Sequence, residues 1–166
     1  MGVILAGYTL LHVVISLVGI FSGFVVLFGM LGSKLHDGWT GLFFTATVLT
    51  SVTGFFFPVH HFMPSHALGI LSLLILPVAM YGLYGRRLAG AWRWIYVVTA
   101  MMGQYLNFFV LIVQSFMKIP ALHSLAPTQT EQPFKVTQLI VLILFVLLTA
   151  AAAIRFHPSR APATGA

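Results

Sequence analysis

Acidic residues are almost missing from this chain: Asp37 and Glu131 are the only two among 166 residues. Two isolated acids cannot supply paired carboxylates, a Ser/His/Asp triad or the ionisable midplane group of an ion-coupled carrier. Cysteine is absent altogether, which excludes disulfides, thiolate nucleophiles, iron–sulfur ligation and covalent c-type haem attachment. The HExxH zinc motif does not occur either.

Charge of either sign is scarce. Charged residues make up 6% of the chain and hydrophobic ones 60%, whereas an ordinary soluble domain is about 25% charged. With a mean hydropathy of +1.03, too few polar groups remain to cover a soluble surface, so the lipid bilayer is the expected solvent. The net charge of +6 would suit nucleic acid, but the basic residues stand at the ends of apolar segments, where lipid headgroups lie. No nucleic-acid partner is expected. The start, Met1-Gly2-Val3-Ile4-Leu5, has no basic residue before the apolar run, unlike a cleaved secretory signal, and Ala6 stands where a myristoylation site needs Ser or Thr.

A spanning helix needs about 20 apolar residues. Five segments approach that length: 3–31, 40–57, 66–84, 92–117 and 136–154. They predict an all-α, polytopic transmembrane bundle of about five spanning helices, or four if the short second segment fails. Residues 1–154 form one expected transmembrane domain, and the polar, Pro-bearing tail 155–166 is expected to be disordered and cytoplasmic. Five crossings sort the basic residues unevenly: Lys34, Arg86, Arg87, Arg93, Arg155 and Arg160 on one side, Lys118 and Lys135 on the other. The positive side is the cytoplasmic one, so the N-terminus is expected outside and the C-terminus inside, in a setting such as the bacterial inner membrane. Trp39, Tyr81, Tyr84, Trp92 and Trp94 fall near the same cytoplasmic interface.

The same sorting sends His60, His61, His66 and His123 to the outer side, with His12 inside the first helix. His36 and His157 go to the cytoplasmic side. The loop Pro58-Val59-His60-His61-Phe62-Met63-Pro64-Ser65-His66 gathers three imidazoles and a thioether. Such donors suit copper, zinc or haem iron, which makes His60, His61, Met63 and His66 candidate metal ligands; interfacial histidines that bind nothing are the plainer alternative. His12 is costly inside a span and therefore a functional candidate, about 14 Å from the helix start at ~1.5 Å per residue. It shares a helix face with Ser16, Gly19, Gly23 and Met30, a strip equally suited to close helix packing. Thr47, Thr50, Ser51 and Gly54 share a face of the second span, and Gln104, Asn107 and Gln114 one of the fourth. Thr47, Ser51, Gln104, Asn107 and Gln114 are accordingly candidates for a polar cavity, or for hydrogen bonds between helices.

In layout the chain resembles the small bacterial membrane cytochromes of b type, helical bundles in which histidines on separate helices hold haem. The resemblance carries no signature motif. It implies haem b held between His12 on the first helix and His66 at the start of the third. Three classes of function stand at this point. The first is a haem or copper site on the outer side, exchanging electrons with quinone. The second is a non-catalytic subunit or assembly factor acting through helix faces, and the third a channel or permease for a small uncharged molecule. Whether the chain is an enzyme is left open by its residues.

Overall fold

The computed structural model describes residues 2–58 and 64–158. It contains six α-helices: α1 (Gly2–Leu31), α2 (Asp37–Gly54), α3 (Pro64–Met80), α4 (Trp92–Lys118), α5 (Pro120–Leu125) and α6 (Gln132–Arg155). A π-helical turn, Tyr81–Gly85, continues α3, and no strand occurs among the described residues.

Among the described residues four helices are long and apolar enough to cross a membrane: the stretches Ile4–Leu31, Ser65–Gly85, Trp92–Lys118 and Gln132–Arg155. By length and composition this is the fallback number of four within the expected all-α bundle. The helix that fails is α2. It has 18 residues, about 27 Å at 1.5 Å per residue, but six of them are hydroxylic: Thr40, Thr45, Thr47, Thr50, Ser51 and Thr53. Their polarity is partly absorbed by the helix itself, since Ser51 donates to Thr47 O (3.0 Å) and Thr53 to Leu49 O (2.6 Å).

The turn after α1 is built by its last residues. Lys34 N donates to Gly29 O and Ser33 N to Met30 O, with Ser33 at φ 56°. This is the paired bond pattern that ends a helix on a left-handed residue, a position more often held by glycine. The chain then folds back, so that α2 runs antiparallel beside α1: Gly19 lies against Ala46 and Thr47, and Tyr8 donates to Thr53 O at 2.5 Å. From there α3 packs on α2 and α4, and α4 closes against α1. The four make a ring in which α1 and α3 stand diagonally. Helix α6 packs outside it, on α4 and α1.

The ring's two ends differ. At the basic end, which carries Lys34, Arg86, Arg87, Arg93 and Arg155, the interior is filled by Leu27, Met30, Phe43, Leu83, Tyr96, Met101 and Phe156. Here Arg93 Nη1 donates to Ala153 O (3.0 Å) and Phe156 O (2.6 Å), satisfying carbonyls at the end of α6, while its guanidinium lies 4.9 Å from the Trp94 ring centre. His157 N donates to Ser33 Oγ (2.8 Å), which ties the end of α6 to the turn after α1. At the far end α5, absent from the sequence expectation, lies between α4 and α6. Leu122 and Ala126 pack there with Ile112, Phe116 and Phe134. Glu131 braces the following turn, accepting from Thr128 N (3.2 Å), Thr128 Oγ1 (2.8 Å) and Thr130 N (3.0 Å).

Candidate functional site

Below the middle the ring is solid; above it, toward the far end, the four helices enclose a cavity of about 490 Å³. The floor is made where α4 meets α1. Gln104, fully buried, donates from Nε2 to Ile20 O at 2.8 Å, and Phe24 meets Phe108 edge-on at 5.6 Å. Gly23 makes this approach possible, because a Cβ there would overlap the Gln104 carboxamide. Asn107 Nδ2 donates to Thr47 Oγ1 (3.0 Å), a second bond across the ring.

Both histidines named as cofactor ligands line this cavity: His12 from α1 and His66 from the first turn of α3. They come from diagonal helices and reach similar depths. His12 bonds to Thr53, and His66 stacks on Phe55 with ring centres 5.5 Å apart and planes 15° from parallel. Two residues of helix rise separate those levels, about 3 Å. Counting from the helix starts had set His12 far deeper; the count misleads because the first turns of α1 extend past the end of α2. Gly69, one turn after His66, lets the Phe55 ring lie close, since a Cβ there would stand 3.2 Å from it.

The hydrogen bonds around Thr53 favour one tautomer of His12. Thr53 has one hydroxyl proton, and Leu49 O takes it at 2.6 Å. With that proton on Leu49 O, the shorter of the two contacts, the 2.8 Å bond between Thr53 Oγ1 and His12 Nδ1 runs from the ring N–H to the hydroxyl oxygen. In the neutral ring Nε2 is left bare, an electron pair able to accept a hydrogen bond or bind a metal. Phe57 holds the ring edge-on at 5.1 Å.

The remaining candidates divide. Ser51, Asn107 and Gln114 line the cavity. Thr47 and Gln104 do not: they are buried in the bonds that join α2, α4 and α1. His60, His61 and Met63 lie outside the described residues. Among the described residues no group of three or more His, Cys, Asp or Glu side chains is placed to hold a metal ion. His123 is on α5 and does not line the cavity.

Sequence reasoning put Thr50 on the polar face of the second span without naming it a cavity candidate, and passed over Thr53 and Lys118 as site residues. Thr50 lines the cavity with its hydroxyl oxygen buried and without a partner among the described residues, and Lys118 stands at the rim where α4 ends. A signal existed for Lys118, the only charged residue closing a span on the sparsely charged side. No protein-family model, no curated protein and no solved structure matches this chain.

Proposed function

We propose that this is an integral membrane protein that binds a small, largely apolar molecule in the cavity between α1, α2, α3 and α4, with His12 and His66 as its main polar contacts. The supporting observation is the cavity itself: about 490 Å³, apolar over most of its wall, with the imidazoles of His12 and His66 in its lining. Ligand sites are commonly of this size and lining. Past Ile20 the ring is occupied by the buried Gln104 and the Phe24–Phe108 contact, which weighs against the reading as a channel.

The membrane crosses the ring with the basic end in the cytoplasm. In this reading α2 also spans, because it returns the chain to the end from which α1 starts, and the cavity faces outward. The domain is then the single bundle of residues 1–154.

Haem b is a second reading, favoured by one observation: His12 and His66 stand on diagonal helices at similar depth, as a pair of axial ligands must. Those two residues would hold the iron, with Thr53 orienting His12, and the haem would supply one-electron chemistry. Copper would need further donors, for which His60, His61 and Met63 are the candidates.

Protein purified in mild detergent without chelators decides between these readings. The organic extract should contain a stoichiometric small molecule, identified by mass spectrometry, with no Soret band and no bound copper or iron. A Soret band lost in His12→Ala and His66→Ala variants would establish haem instead. An empty protein that co-purifies with other membrane chains would favour the role of a non-catalytic subunit.

A further inference from the structure

The cavity wall is incomplete on one side. Helices α1 and α4 are joined at the floor, by the Gln104 bond to Ile20 and the Phe24 contact with Phe108. Farther out no side-chain hydrogen bond between them occurs among the described residues. Val13 and Leu17 line the cavity from α1, yet they are 37% and 47% exposed. These residues therefore face the cavity and the outside together. They lie nine and thirteen residues past Ile4 on α1, about 14 to 20 Å along the helix, which is within the hydrocarbon layer and away from water. The lining on this side is apolar, Val13 and Leu17 from α1 and Val110 and Leu111 from α4.

Inside, the polar groups are specific. His12 Nε2 can only accept, so the matching ligand atom must donate. The rings of Phe55, Phe57 and His66 also belong to the lining, and flat aromatic groups pack well against flat partners. We infer that the cavity is entered sideways from the bilayer between α1 and α4, and that it takes a lipid-soluble molecule with an aromatic hydroxyl head, of the alkyl hydroquinone class. This rests on the cavity being a binding site. The oxidised, p-quinone form has only acceptor oxygens and cannot donate to His12, so the reduced form is the one bound tightly.

The test uses the full chain in phosphatidylcholine vesicles, with Leu17→Cys carrying a nitroxide label; the chain has no other cysteine. The label should collide with dissolved oxygen far more than with an aqueous nickel chelate, and decyl hydroquinone should slow its motion at lower concentration than decyl quinone, by about tenfold for one hydrogen bond. His12→Phe should abolish that preference, as should Thr53→Val, which frees the ring to present Nε2–H. Because the preference is read on the His12 chain too, a variant that fails to fold does not hide the result. Dominant collision with the nickel chelate would overturn lateral entry. Equal binding of the two forms, or displacement of the hydroquinone by oleate, would overturn the ligand class while leaving the cavity a binding site. No response to any of these, together with an empty organic extract, would fail the binding reading itself.

Discussion

At Gly23 the surface of α1 has no room for a carbon atom, because the Gln104 carboxamide already occupies it. Gly19, four residues away, is different: a Cβ there would stand 3.5 Å from Ala46 and Thr47, an ordinary contact. The two glycines look alike in the sequence and should separate on substitution. Gly23→Ala is expected to lower stability by about 1–3 kcal/mol through overpacking, while Gly19→Ala should be neutral or slightly stabilising. Thermal unfolding of both in detergent checks it, and equal midpoints would show that Gln104 yields at no cost. Glu131 gives a second expectation. Desolvation pulls its carboxyl upward, but the bonds it accepts from the Thr128 hydroxyl and the N–H groups of Thr128 and Thr130 prevail and hold it below the ordinary value of 4.5. A carboxylate shifted downward contributes stability above its unfolded pKa and loses it as pH falls through the folded one. Between pH 6 and pH 3 the native chain should therefore lose its advantage over Glu131→Gln; a constant difference would refute it. His12 was legible as a polar group inside a span. Thr53 as its partner was not, since spacing along one helix carries no information on the register between two.

Helix α2 shows where composition and position part. Its hydroxyls make it the least membrane-like of the long segments, yet Thr40, Thr47 and Ser51 are buried inside the ring; Thr47 accepts from Asn107 and Ser51 donates to its own helix, while Thr40 Oγ1 has no partner among the described residues. The sequence placed it at 40–57, three residues late, because apolar residues were counted and the start at Asp37 was not; an acid in the first turn is favourable there. For α4 the reading 92–117 differs by one residue from the structure. The limits of α3 were blurred by Pro77, which removes a backbone donor inside the helix, and by the π-helical turn that follows. Short α5 was invisible, since six residues have no period to detect. The element most dependent on one side chain is α6, whose end carbonyls are met by Arg93. Arg93→Met should cost about 2 kcal/mol, more than a neutral hydrogen bond because the donor is charged. Faster amide exchange confined to 152–157 would mark the cause, and unchanged exchange there would remove it.

Over the whole molecule the packing is uneven, dense at the basic end and hollow at the other. The all-α bundle was readable from the apolar runs and their punctuation, and the aromatic belt of Trp39, Tyr81, Tyr84, Trp92 and Trp94 does fall at the basic end. The cavity was readable only as fragments: Ser51, Asn107, Gln114, His12 and His66 were each named, without a reason to place them together. That grouping depends on which helices are diagonal, and no single helix face reports it. The proposed orientation is checked by reporter fusions. Insertions at 88–90 and after 158 should report the cytoplasm and one at 127–130 the outside; the opposite pattern would invert the cavity. A further consequence follows from Arg93 reaching across to α6. A chain emerging from the ribosome releases its N-terminal helices first, so α1 to α4 are made while Arg93 still lacks its acceptors, Ala153 O and Phe156 O, and its guanidinium is left without them. The last helix then completes the earlier ones, and a chain arrested before residue 153 carries an exposed mark of its own incompleteness, the kind of feature by which membrane quality control tells an unfinished protein from a finished one.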